Sequence, residues 1–260
     1  MKVHRKHKVN KSQVSLIIVM LVATVMTVVL AVSFNSIVDT QSTKLEQESQ
    51  KALSVAESAI SVALKNKQTA ILGPEGSPEL ADISDFSGSA ALTSVTSKTF
   101  TSPTIAKDTA YTFYLGNYDT ATQTIGASVA ENLDVCMKTG ATNPALEITL
   151  VKTSGVKKYV LDPNTGTSGR IPNASVGSAV SCGTSITVPA ADIGTDSQFL
   201  VVRVFFTNTA LTFSRTISNL PVQGTTVSSQ VTSTTSGVSK KVTLFQSYPQ
   251  IPAEFFATNF

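Results

Sequence analysis

The chain has no tryptophan, and its two histidines, His4 and His7, fall within the first seven residues. All that follows lacks the side chain that most often serves as a general base near neutral pH. A Gly-x-Ser-x-Gly elbow, a phosphate-cradling glycine loop and a Cys/His cluster are also missing. No residue pattern therefore points to catalysis, to a cofactor or to a structural metal, and the chain reads as a non-enzyme. Charge is scarce as well: 14% of residues are Asp, Glu, Lys or Arg, and none lies between Gln13 and Val38. The net charge of +3 comes from Lys2, Arg5, Lys6, Lys8 and Lys11, with the remainder close to neutral. A basic balance of that origin speaks for membrane topology and not for nucleic acid.

The uncharged stretch is what organises the sequence. Leu16–Phe34 is a run of Leu, Ile, Val, Met and Ala broken only by two threonines and a serine. As a helix rising 1.5 Å per residue, the stretch from Gln13 to Val38 would span roughly 39 Å, enough to cross a hydrocarbon core of about 30 Å. Neither Gly nor Pro interrupts the pattern before Gly73-Pro74, so one helix is expected over 13–72, transmembrane over about 14–38 and amphipathic over about 39–72. In the second half Leu45, Ala52, Leu53, Ala56, Ala59, Ile60, Ala63 and Leu64 fall on one arc, with lysines and serines opposite. The small residues Ala52, Ala56, Ala59 and Ala63, with Ile60, would let a partner surface come close to the helix axis. The basic leader 1–12 is expected in the cytoplasm and the rest outside it.

On hydropathy alone the start of the chain fits a cleaved signal peptide, with Ala31-Val32-Ser33 as a small-residue cut site, or an uncleaved anchor. Lys11-Ser12-Gln13-Val14-Ser15-Leu16-Ile17, the apolar run, and then Ala56-Glu57-Ser58-Ala59-Ile60 resemble the N-terminal module of type IV pilins and pseudopilins, above all minor pilins of the PilX type. The resemblance covers about the first seventy residues. It implies cutting by a prepilin peptidase after Ser12, leaving Gln13 as the new N-terminus, where the family usually has Gly before the cut. Counted from Gln13, Ile17 stands where major pilins carry a Glu thought to pair with a neighbour's terminal amine. Its absence implies a minor subunit, at or near a tip. Expected partners are thus the membrane, other pilin subunits and the peptidase. The protein would be single-pass, later part of an extracellular surface filament, and its surface ligand is not readable.

Gly73-Pro74-Glu75-Gly76-Ser77-Pro78 is a stop signal. The Ser/Thr-rich stretch 73–108 reads as a linker or loosely packed lobe. Residues 109–260 show short apolar runs separated by Gly, Pro, Asn and Asp, with period-two alternation in Leu146-Glu147-Ile148-Thr149-Leu150. The overall expectation is α+β: a long N-terminal helix followed by a β-rich, antiparallel sandwich-like domain. Cys136 and Cys182 lie in the part assigned to an oxidising compartment and are expected to form a disulfide, the alternative being two buried thiols.

Asp162-Pro-Asn164-Thr-Gly166 offers oxygen ligands, so Asp162 and Asn164 are the one calcium candidate, although the same residues make a good turn between strands. Asn173-Ala-Ser175 is a formal glycosylation sequon. Lys157-Lys158 and Lys240-Lys241 read as solvated strand faces, without the aromatics of a nucleic-acid surface. The leading functional expectation is a minor pilin or pseudopilin subunit that assembles through its helix. The alternative is a permanently anchored cell-adhesion module.

Overall fold

The computed structural model describes residues 11–94, 96–138, 140, 143–252 and 255. In chain order they form helix α1 (Lys11–Asn66), β1 (Ala70–Ile71), β2 (Phe86–Thr93), β3 (Thr99–Thr101), β4 (Ala110–Tyr114), β5 (Tyr118–Asp119), β6 (Thr124–Ile125), β7 (Leu133–Met137), β8 (Ala145–Lys152) and β9 (Gly155–Leu161). After these come β10 (Ser178–Val180), β11 (Gly183–Val188), the one-turn α2 (Ala190–Ile193), β12 (Ser197–Phe205), β13 (Leu211–Ser214), β14 (Gly224–Ser233) and β15 (Ser239–Ser247). One long apolar helix followed by antiparallel sheets is an α+β architecture. The chain divides into two compact units, one of residues up to Ala91 with Ser228–Val242, the other of Leu92–Val227 and the chain from Thr243 onward.

In the first unit α1 stops at Asn66, not at residue 72 as expected. Lys67 takes a left-handed φ of 53°, and the Gln68 N–H closes back on the Ala63 carbonyl at 3.3 Å, the pattern of a Schellman ending. A lysine holds the position that glycine usually takes, so a reading keyed to Gly and Pro misses the stop. Ala70 and Ile71 are instead a short strand, with Ala70 opposite Ala90 of β2. The stretch expected as a linker or loose lobe therefore holds an eight-residue strand, β2, and a second short one, β3. Small residues obscure β2 in the sequence because backbone comes close there. A Cβ on Gly88, at φ 147°, would lie 2.0 Å from the Gln230 carbonyl oxygen, so the strand needs glycine at that point. The sheet runs in the order β1-β2-β14-β15.

The second unit holds a four-stranded sheet, β4-β12-β8-β9, and a five-stranded sheet, β10-β11-β7-β13-β3. Both contribute to one apolar core: Phe113 of β4 and Phe213 of β13 stack with ring centroids 4.0 Å apart, among Leu146, Ile148, Leu200, Val202 and Leu133. Strand β12, apolar on both faces from Phe199 to Phe205 except at Arg203, lies between β4 and β8. Strand β8 is buried more completely than its alternation suggests, for Glu147 and Thr149 are covered as well. Burying the Glu147 carboxylate is tolerable because Lys158 meets it at 2.7 Å, which compensates its charge. Cys136 of β7 is bonded to Cys182, in the turn between β10 and β11, with Cα atoms 6.3 Å apart.

Candidate functional site: the N-terminal helix and its seat

Among the described residues α1 is the one helix long and apolar enough to cross a membrane. Every described side chain from Leu16 to Val38 is exposed, so this apolar surface is not spent on the protein's own core. Its hydroxyls make local bonds. Thr24 Oγ1 donates to the carbonyls of Met20 and Leu21 at 3.0 and 2.9 Å, and Thr27 Oγ1 to those of Ala23 and Thr24 at 3.1 and 2.8 Å. A hydroxyl satisfied within its own helix carries little penalty in an apolar surrounding. Ser12 and Gln13 belong to the helical backbone of α1, while their side chains lie outside the described residues. The basic side chains of residues 1–10 are outside them too.

The polar turns after Asp39 are also uncovered, and the character of the helix changes at Glu48. Ala52, Ala56, Ala59, Ile60 and Ala63 are buried, whereas Leu45 and Leu53, placed on the same arc by the sequence, are exposed. The packed stripe is therefore shorter than the amphipathic pattern and begins about two turns later, at Ala52 instead of Leu45. The Glu48 carboxylate accepts a hydrogen bond from the Ser233 hydroxyl at 3.0 Å, tying the helix to the end of β14. At the other end of the seat the Asn66 amide donates to Glu79 Oε1 at 3.0 Å. That bond is the main cause holding the Glu79 carboxyl below its ordinary pKa, aided by a backbone N–H and Lys65.

The calcium candidate has another occupation. Asp162 is fully buried, and Arg170 binds both its oxygens, with Nη2 at 2.5 Å from Oδ1 and Nε at 3.1 Å from each. The N–H groups of Asn164 and Ile171 add further bonds at 2.9 and 3.1 Å, and Asn164 Oδ1 accepts from Asn143 at 3.2 Å. Burial alone would raise the Asp162 pKa, but the Arg170 and backbone bonds outweigh it and hold the carboxyl below its usual range. The cation this loop is built around is a guanidinium. Among the described residues no three His, Cys, Asp or Glu side chains come together as a metal site would require.

Asn173 is exposed with a left-handed φ of 57°. Lys157 and Lys158 are not simply solvated: Lys157 pairs with Asp192 at 2.6 Å and Lys158 with Glu147. Sequence reasoning passed over three groups. The Glu131 carboxylate gathers the N–H groups of Thr216, Ile217 and Ser218 at 3.0, 2.6 and 3.0 Å, together with the Ser218 hydroxyl. These bonds overcome desolvation and bring its pKa down to about 2. Arg215 beside it is buried, and its guanidinium nitrogens have no hydrogen-bond partner among the described residues. Burial lowers its pKa and the Glu131 charge opposes the shift. Gln223, also buried, bonds the backbone of β4. Such long-range pairings leave no local signal in the sequence.

Compared with known proteins, the chain matches no family model, no curated protein and no solved structure.

Proposed function

We propose that the chain is a minor pilin- or pseudopilin-like subunit, inserted in a membrane through α1 and assembling through that helix into, or at the tip of, a type IV pilus-like filament. The observation that carries this reading is the two-part use of one helix. The described side chains of Leu16–Val38 are uncovered and mostly apolar, and Ala52, Ala56, Ala59 and Ala63 of the same rod are buried small residues. An apolar rod can rest in lipid and later exchange lipid for the helices of neighbours, which pack by van der Waals contact. The basic residues at the start support an orientation with the N-terminus inside. The disulfide fits a head in an oxidising compartment. The two sheets that share the Phe113–Phe213 core are read as a sandwich-like module that such a rod would display.

On this reading Ser12 and Gln13 flank the processing point, and Ile17 in place of a carboxylate makes the subunit a minor one. N-terminal sequencing of the membrane-extracted protein, with proteomics of sheared surface filaments, tests it. A terminus at Gln13 and recovery in the filament fraction are expected. An intact Met1 terminus, with the protein confined to the membrane fraction, would instead indicate a permanently anchored binding module. A soluble extracellular form beginning near Phe34 would make the apolar run a discarded export signal.

A further inference from the structure

Beside β3, the end strand of the five-stranded sheet, lies a groove of about 250 Å³. Its lining includes the rings of Phe100 and Phe245 and the hydroxyl residues Ser97, Thr99, Thr101 and Thr226, and no lining residue is charged. Every lining residue belongs to the second unit. The two rings are held in place by their own neighbours. Phe100 packs against Tyr111 at a centroid distance of 6.2 Å, Phe113 at 6.1 Å and Phe213 at 6.4 Å, so the core fixes its plane. Phe245 stands 5.9 Å from Phe100 at an angle of 47°. A Cβ at Gly224 would lie 2.9 Å from Phe245 Cζ and 2.2 Å from the Gln246 carbonyl oxygen, so the Phe245 ring uses space that a bare position leaves free.

The polar groups narrow the class of ligand. An ionic ligand would find no counter-charge in the lining, and the ammonium of Lys98, next to Thr99, is bonded to the Thr216 carbonyl at 3.0 Å. A peptide adding as a strand needs open N–H groups along the edge, yet the Thr99 N–H is bonded to the Ser97 hydroxyl at 3.2 Å. The Gln223 side-chain amide, also in the lining, is committed to Tyr114 and Pro221. The polar side chains left to a ligand are therefore hydroxyls. A hydroxyl both donates and accepts, so a row of them complements a ligand whose own polar groups do both. Beside two phenylalanine rings, whose faces attract polarised C–H groups, that ligand must also present a C–H surface. A sugar ring combines the two. The groove is smaller than the about 300–1,000 Å³ of sites for drug-sized ligands and suits a single ring. We propose that it binds one ring of a neutral glycan, with the C–H face of the sugar on the phenylalanines and its hydroxyls on Thr99 and Thr226. The inference stands on the second unit alone and does not rest on the filament reading.

Saturation-transfer NMR on the full-length chain in phosphatidylcholine nanodiscs tests this, with empty nanodiscs as background and no glycoside detergent present. The probes are the methyl glycosides of glucose, galactose, mannose, N-acetylglucosamine and N-acetylgalactosamine, with methyl glucuronide as the charged comparator and a proline-rich peptide as the peptide comparator. Transfer to the ring protons of at least one neutral glycoside is expected. Phe245→Leu, which removes a ring, and Thr99→Val, which removes a hydroxyl, should each weaken that binding by about fivefold. Thr153→Val, at an exposed turn, should leave it unchanged. Thr99→Val keeps side-chain size at an exposed position, so it reads the contact even where Phe245→Leu disturbs the fold. Neutral glycosides that give no transfer above empty nanodiscs overturn the proposal. So does tighter binding of the glucuronide or the peptide than of every neutral glycoside, and so does unchanged binding in either folded groove variant.

Discussion

The side-chain amide of Gln223 pairs with the backbone of Tyr114 as a strand would: Oε1 accepts from the Tyr114 N–H at 2.8 Å and Nε2 donates to the Tyr114 carbonyl at 2.9 Å. Gln250 continues the same edge at the Thr112 N–H. Two glutamines thus help close β4, an end strand of its sheet, against pairing with other chains. Gln223→Met keeps similar bulk but leaves a buried N–H and C=O unsatisfied. The expected loss is about 2–4 kcal/mol of unfolding free energy, read from urea unfolding in detergent micelles. An unchanged midpoint would show that solvent replaces both bonds without penalty.

The Asp162–Arg170 pair predicts a larger effect. Removing the guanidinium leaves a fully buried carboxylate with only backbone donors, so Arg170→Ala should destabilise by about 3–5 kcal/mol. The double variant Arg170→Met/Asp162→Leu, which removes both charges, should recover most of that. Because the folded Asp162 pKa is depressed, the pair stabilises the fold above the ordinary carboxylate pKa. That contribution disappears as pH falls through the lowered value. Unfolding midpoints of parent and variants across an acid series would show the difference between them shrinking in that direction.

Glu131 gives a second acid-sensitive element with a defined window. Its folded pKa of about 2 lies below the ordinary 4.5, so its bonds to the loop at 216–218 contribute fully above 4.5 and are lost between 4.5 and about 2. Glu131→Gln should lower stability near neutral pH by about 1–2 kcal/mol and flatten the decline in that window. Amide exchange at Ile217 would report the same event locally, since its N–H donates directly to Glu131.

The bond between Cys136 and Cys182 closes a sequence separation of 46. In the chain-entropy view such a loop stabilises the fold by about 4 kcal/mol. Cys136→Ser/Cys182→Ser should lower the unfolding free energy by an amount of that order and leave the helix content measured by circular dichroism nearly unchanged.

Periodicity made the gross order of the molecule legible: an apolar helix first, short strands later, and an alanine stripe at Ala52, Ala56, Ala59 and Ala63. Long runs with a strong period carry their own signal. What failed to show were features set by contacts distant in sequence. The helix stop at Lys67 depends on a left-handed lysine, β2 on close backbone approach at Gly88, and the burial of Glu147 on Lys158 from the next strand. Arg170, which takes the charge that the Asp162 loop seemed to offer a metal, lies eight residues away with nothing local to mark it as the partner.

The alanine seat supports the sharpest test of how α1 is held within the first unit. Ala56 and Ala59 have no exposed surface, so a phenylalanine at either position must displace its neighbours, which typically costs about 1–3 kcal/mol per site in a packed interior. Leu45, about three turns before Ala56 and half exposed, provides the control, since Leu45→Phe adds bulk where there is room. Ala56→Phe and Ala59→Phe should lower the unfolding midpoint and speed amide exchange over residues 48–63. Membrane extraction should stay unchanged, because the apolar stretch Leu16–Val38 is untouched. If both variants behaved like Leu45→Phe, the small residues would not be what holds the rod. The Glu48–Ser233 bond would then be the next contact to remove, with Ser233→Ala as the variant.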